Sequence, residues 1–464
     1  MFRVALAALL LSGPVSAQNA DALAPQVRKY LAVAAPKVIL AHVEVIDGTG
    51  APPRPDQNVT IAGGKIAAIE PGADRPASQG ITVLDLRGRS IIPGIVGMHD
   101  HLFYLARPNL AADGTFEAPF FFVEQRFSAP RLYLANGVTT IRTTGAIEPD
   151  TDLKLQRDID GGTVPGPHLE VTGPYLDGLD DARKTVAYWA DRGVTSFKAY
   201  KNIKRKDLKA AIDEAHKRRL KVTGHLCSVT YPEAIELGID NLEHGFFVNT
   251  ALDPDKKPDV CSSSSGDFTL EHIGSADAGR LIAALVKRRV AITSTLVGLG
   301  QTVLRVDPPP ALLEAMSPTL RAIYPSWRSR PPAPNAAVLL RKEMELERAF
   351  VAAGGLLIAG PDPVGIGTNI PGFGDHREIE LLVEAGFTPV EAIRIATSNG
   401  ATFLGRQDRI GTIAVGKNAD LVVVNGDPAA RIADVENVEL VFKDGAGYDP
   451  KKLLDSVKGR YGEY

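Results

Sequence analysis

Two histidines spaced two apart, His99 and His101, close the apolar run Ile-Ile-Pro-Gly-Ile-Val-Gly-Met at positions 91–98. On a strand, residues two apart share a face, so both imidazoles project together from one strand end, as a shared metal ion requires, and Asp100 points the other way. The pair alone is equally at home on a surface strand without any ligand. Four further donors recur downstream, each at the end of a short apolar or β-rich run: Lys198 after Val194-Thr195-Ser196-Phe197, His225 after positions 220–224, His244 after 239–243 and Asp362 after 356–361. Helical patterns such as 205–219 and 276–289 lie between them. Strand, donor and helix in repetition is how an α/β chain folded as a (β/α)8 TIM barrel presents chemistry at the C-terminal ends of its strands.

The order His-x-His, Lys, His, His, Asp, preceded by Pro93-Gly94 and a glycine- and isoleucine-rich β segment, resembles the amidohydrolase superfamily in its binuclear, lysine-bridged subtype, over residues 37–445. Within it, Gly224-His225-Leu226 and Asn241-Leu242-Glu243-His244-Gly245 are similar to the imidazolonepropionase-like and Xaa-Pro or Xaa-Arg dipeptidase branch. Two positions depart from many relatives: Gly97 and Thr143 stand where an Asp is common. Neither replaces a metal ligand, so they bear on substrate class rather than on the core chemistry.

The resemblance implies two divalent metal ions. Zinc is the first choice for imidazole and carboxylate ligands, with manganese or cobalt able to substitute. A protonated amine is a poor ligand, but in a buried, electropositive pocket a lysine pKa falls. The neutral amine then adds CO2 to form a carbamate that can bridge two metals, and the resemblance implies this modification of Lys198. The plainer reading pairs Lys198 with an acidic side chain. We assign His99, His101 and Asp362 to one ion and His225 and His244 to the other, with Lys198 bridging. A shared hydroxide, the pKa of its parent water lowered from about 15.7 to about 7, attacks the scissile carbonyl. Asp362 takes its proton and delivers it to the leaving amine. The expected reaction is hydrolysis of an amide in a dipeptide or N-acyl amino acid. A cyclic amide or lactone at the same site is the second reading, and a catalytically silent binding protein the third. Leu226-Cys227-Ser228 follow His225 where deaminase-type relatives carry His-x-x-Glu, which disfavours deamination and also imidazolonepropionate hydrolysis.

Other residues carry weaker signals. Tyr200 shares a strand face with Lys198 and either reaches the substrate or only packs. Arg142, near the end of the run from Val138, either clamps a carboxylate or forms a structural ion pair. Tyr175 and Asp177 follow the third strand candidate as pocket residues. His376, after Gly374-Asp375, reads as a loop or helix-capping residue, and His42, His168, His216 and His272 as ordinary structural or surface histidines.

The first 18 residues pair a short basic start with an apolar stretch and a small-residue cleavage pattern, the form of a secretory signal, which implies a secreted or periplasmic protein. No later apolar run reaches the roughly 18 residues of a membrane span. A formal net charge of -3 on 464 residues leaves no basic footprint for nucleic acid, so a small-molecule substrate is expected. The two cysteines, Cys227 and Cys261, are either bridged or free. Residues 19–36 read as a poorly packed arm. Residues 37–92 and 406–447 carry short strands with glycine turns and are expected to form one composite β-sandwich. The barrel is then inserted at 93–405 and a tail follows at 448–464. Exposed sandwich surface would serve a homo-oligomer. Two long connections, 246–271 and 298–334, exceed normal loop lengths. The first, Ser-rich between Ser262 and Gly266, reads as a lid or a mobile insertion. The second, with Tyr324, Trp327, Arg328 and Arg330, reads as a lid.

Overall fold

The computed structural model describes residues 20–106, 109–110, 116–178, 180–262, 267–300, 303–304, 306–329, 331–332, 334–364 and 369–463. The signal-peptide expectation at 1–18, Arg330 and most of the Ser-rich stretch lie outside the described residues.

Eight parallel strands follow one another in chain order: β1 (Ile95–Asp100), β2 (Val138–Thr143), β3 (His168–Val171), β4 (Ser196–Ala199), β5 (Lys221–Gly224), β6 (Asn241–Leu242), β7 (Ala291–Ser294) and β8 (Leu357–Ala359). They form two ladders, β1 to β3 and β4 to β8, rather than one continuous sheet. A parallel bridge from Thr172 to Ser196 spans the first seam. At the second, the Asp362 N–H donates to the His99 carbonyl at 2.9 Å. Gly360 permits this approach, because a Cβ there would lie 2.1 Å from His99 N. Helices alternate with the strands, and the expected patterns at 205–219 and 276–289 become Arg205–Lys217 and Ala276–Arg288. Their ends obey local chemistry: Ser275 caps Ala276–Arg288, and Tyr231–Leu237 starts on a Thr230/Glu233 capping box and stops at left-handed Gly238.

The chain's two ends meet in a nine-stranded sheet in which Leu421–Val424 lies between Ser90–Pro93 and Val438–Lys443. All nine strands are linked by hydrogen bonds into one network drawn from both termini. Its own core includes Val38, Leu40, Val59, Ile61, Leu421, Val423 and Phe442. The sheet also reaches beyond the expected limits, since Leu31–Val33 pairs with Ala446–Tyr448. The arm at 19–36 is therefore not loosely packed: Leu23, Val27 and Tyr30 are buried. Nor is 448–464 a free tail, because Pro450–Ser456 is a helix and Tyr461 is fully buried. The lid expected at 298–334 is instead packed structure among its described residues. Pro310–Ala315 and Pro318–Arg328 are helices whose Leu312, Leu320 and Tyr324 share a cluster with Tyr104, Phe373 and Tyr461.

Cys227 and Cys261 are joined in a disulfide, which settles the choice left open by the sequence. It fastens the loop after β6 to the end of β5. Closing its 34-residue separation stabilises the fold by about 3–5 kcal/mol on the chain-entropy account.

His168, at the start of β3, lies 3.3 Å from Asp444 and 3.6 Å from Asp420 of the terminal sheet, and Lys443 is 3.5 Å from Asp444. Two cations thus balance two carboxylates across the junction, at the end of the strands opposite the donors. Burial alone would lower the His168 pKa, but Asp444 and Asp420 outweigh it and raise it to about 9. A histidine pKa raised on folding contributes stability that is fully present below about pH 6.5 and is lost as pH rises through about 9, here about 3 kcal/mol. The difference in unfolding free energy between the parent protein and His168→Gln should therefore shrink between pH 6.5 and pH 10 in urea titrations. A difference independent of pH would contradict the charged assignment.

Candidate active site

The six donors named from the sequence converge. The β1 strand delivers His99, β4 delivers Lys198, and the residues just past β1, β5, β6 and β8 deliver His101, His225, His244 and Asp362. His99 Nε2 is 3.0 Å from Lys198 Nζ and 3.7 Å from an Asp362 oxygen, and that same oxygen lies 3.0 Å from His101 Nε2. His244 Nδ1 is 4.0 Å from the other Asp362 oxygen, and the His225 ring stacks edge-on to His244 at 4.3 Å. One donor atom each from His99, His244 and Asp362 fall within 4.8 Å of one another. The distances describe one cluster, with His244 between Asp362 and His225. His244 and Asp362 both hold left-handed backbone, with φ of 64° and 53°, an uncommon conformation for residues other than glycine and one that concentrates at functional sites.

The electrostatics suit ligation. Burial, with the Lys198 charge adding to it, lowers the His99 pKa to about 4, and His225 and His244 are held well below the ordinary value, first by burial. All three imidazoles are neutral at pH 7, the state a ligand needs. Burial also lowers Lys198 to about 8, partly opposed by Glu243 and Asp362. His101 Nδ1 and His244 Nε2 are buried without a hydrogen-bond partner among the described residues. Orphaned, neutral imidazole nitrogens beside a carboxylate and a lysine fit divalent metal ions.

Glu243 was not picked out by the sequence reading, although the segment quoted around His244 contains it. One of its oxygens takes His99 Nδ1 at 2.8 Å and the other accepts from Arg142 at 2.9 Å, all three side chains being buried. Burial opposes its ionisation, but Arg142 and His99 overcome this and hold its pKa well below the carboxylate range. A carboxylate on the far nitrogen of a ligating histidine fixes the tautomer and turns Nε2 toward the metal position. Thr295, next to the end of β7, plays a similar part for His244 Nδ1 at 3.1 Å.

Arg142 is accordingly a correction. It does not face a substrate: it is 1 % exposed, with its guanidinium committed to the Met98 carbonyl, Asn241 and Glu243. Strand parity turns its side chain inward beneath the donors, and the structural ion pair is what forms. Tyr200 lies beside His225 at 5.3 Å between rings, and Tyr175 lies 4.9 Å from Tyr200 and 5.5 Å below the Lys198 ammonium, so both border the cluster. Asp177 instead accepts from Asn202, away from it. His376 lies in the first turn of Phe373–Glu384 rather than in a loop, buried against the Asn136 carbonyl at 2.7 Å. Gly97 has a local reason to lack a side chain, because a Cβ there would meet the Asp100 carboxylate.

Residues 90–446 match the amidohydrolase family. The chain is 27% identical to the imidazolonepropionase of Micrococcus luteus over 406 residues, covering 82% of this chain and 90% of that one. Solved structures with the same fold include a Xaa-Pro dipeptidase with bound methionine, at a TM-score of 0.64 and 19% identity over 89% of this chain and 100% of that one. The A. niger ochratoxinase superposes with a TM-score of 0.62 and 15% identity over 92% of this chain and 99% of that one. With the family match covering most of the chain and strand-end donors of this kind, the protein belongs to the amidohydrolase family and is a hydrolase acting on carbon–nitrogen bonds.

Proposed function

We propose that the protein is a metal-dependent amidohydrolase cleaving an amide bond in a dipeptide or N-acyl amino acid, on a barrel formed by the two parallel ladders together. The observation that carries this reading is the convergence of His99, His101, Lys198, His225, His244 and Asp362 at one end of the parallel strands. His99, His101 and Asp362 would hold one divalent ion, zinc first, and His225 and His244 a second, with a carbamate on Lys198 bridging them. When bound, such ions polarise a carbonyl and make water a nucleophile near neutral pH.

The remaining chemistry falls to the chain. Asp362, 3.0 Å from His101, accepts the proton of the attacking water and returns it to the leaving nitrogen. Glu243 keeps His99 in the one tautomer that presents Nε2. Tyr200 and Tyr175 offer phenolic hydroxyls to orient the substrate. The disulfide fits an oxidising compartment, in line with export directed by residues 1–18. Among the described residues no helix is long and apolar enough to cross a membrane.

The test is a hydrolysis screen of the metal-loaded protein against dipeptides, N-acyl amino acids, cyclic amides and lactones, with Asp362→Asn as the comparison. Amine release from linear amides, reduced about 10²–10⁴-fold in the variant, is the expected result. Turnover of lactones or cyclic amides alone would overturn the linear-amide reading.

A further inference from the structure

The strand Phe103–Ala106 leaves the donor end two residues after His101 and pairs antiparallel with Phe121–Glu124. Its base is pinned between two donor segments, since the Leu105 N–H donates to the Val364 carbonyl at 3.2 Å, two residues beyond Asp362. Side-chain alternation separates its faces. Tyr104, Ala106 and Val123 pack on the helical cluster of Leu312, Leu320 and Tyr324. Phe103 and Leu105 share the other face, and Phe122, directly opposite Leu105, joins them. Ring contacts continue this face to the donors: Phe122 to Phe103 at 5.3 Å, and Phe103 to His101 at 4.5 Å. Exposure rises along it, from 4 % at Phe103 to 55 % at Phe122.

The rings form an array with unlike ends. From His101 the histidines run through His99 and His244 to His225, and there Tyr200 and Tyr175 take over with hydroxyl groups, with the Lys201 ammonium 5.6 Å from the Tyr200 ring. The donor cluster thus separates a wall of apolar side chains, with Glu124 opposite Phe103 on the same ladder, from a polar, cationic one. A large exposed phenyl in contact with a buried ring beside a reactive centre is surface that gains by being covered.

Resting on the amide-hydrolysis reading above, we propose that Phe103, Leu105 and Phe122 form a subsite for an extended apolar acyl group, with the amino-acid end of the substrate lying toward Tyr200 and Tyr175. The substrate class is then N-acyl amino acids, or dipeptides, whose acyl side carries an alkyl chain or aromatic ring rather than a small or charged group.

The test uses the metal-loaded full chain and two readouts. Calorimetry compares binding of acetate with hexanoate and 4-phenylbutyrate, the acids such substrates would release, and kinetics compares N-acetyl with N-hexanoyl amino acids as a kcat/KM ratio. The parent protein should favour the longer acid and the longer substrate by about tenfold or more, given about fourfold for each fully buried methylene. Phe122→Ala should collapse both preferences toward unity. Phe121→Ala, whose ring lies on the opposite face, should keep them. Equal binding of long and short acids would overturn the proposal. So would a preference unaffected by Phe122→Ala, and sedimentation showing that Phe122→Ala converts an oligomer to monomers would then assign the face to a second copy of the chain. Preferential acid binding without amide turnover would leave the subsite standing and remove the proposed reaction instead.

Discussion

Lys198→Ala lowers amide turnover by about 10³-fold or more, equivalent to about 4 kcal/mol of barrier, and lowers the metal content of the purified chain. The lysine is 2 % exposed and its ammonium lies 3.0 Å from His99 Nε2, with burial lowering its pKa to about 8. A lysine serving only as a counter-charge to Glu243 and Asp362 would have no need of CO2. Metal-stripped parent protein should recover activity faster when zinc is returned with bicarbonate than in CO2-free buffer, and the alanine variant should show no such dependence. Parent-level turnover in the variant, or recovery of the parent protein indifferent to bicarbonate, would contradict the carbamate.

The second large effect belongs to Glu243. Glu243→Ala strands the Arg142 guanidinium without its carboxylate and frees His99 Nδ1, in a region where all three side chains are at most 1 % exposed. Breaking a buried pair from one side costs about 3–5 kcal/mol, and losing the group that orients a ligating histidine lowers metal affinity about 10–100-fold. Urea unfolding and metal titration should each show their part. Glu243→Gln should lose less stability, since its amide oxygen still accepts from one neighbour. An alanine variant as stable and as metal-avid as the parent would show that the Arg142–Glu243–His99 chain does not support the site.

The six residues that converge were legible in the sequence as potential donors closing short apolar or β-rich runs, in an order that resembles the amidohydrolase superfamily. A period of two in a strand fixes that His99 and His101 project together. The helices at 205–217 and 276–288 were legible through their helical pattern. What the sequence hid depends on distant partners. Arg142 contacts Met98, 44 positions away, and Glu243, 101 positions away, so local pattern could not show that its guanidinium was already engaged. Leu31–Val33 finds Ala446–Tyr448 only once the chain has returned, and for this reason residues 19–36 and 448–464 read as loose ends. Phe122 carries no local signal in the sequence, and only the fold brings its ring to Phe103 and, through Phe103, to His101.

The central claim, that six strand-end donors hold two metal ions for amide hydrolysis, is tested most directly by titrating metal-stripped protein with zinc in bicarbonate while following bound metal and amine release on the same samples. Activity that rises with occupancy and levels off at two ions per chain is the result expected from His99, His101, Lys198, His225, His244 and Asp362 acting together. Full activity in protein free of metal, or saturation with no ion bound at these residues, would contradict the account.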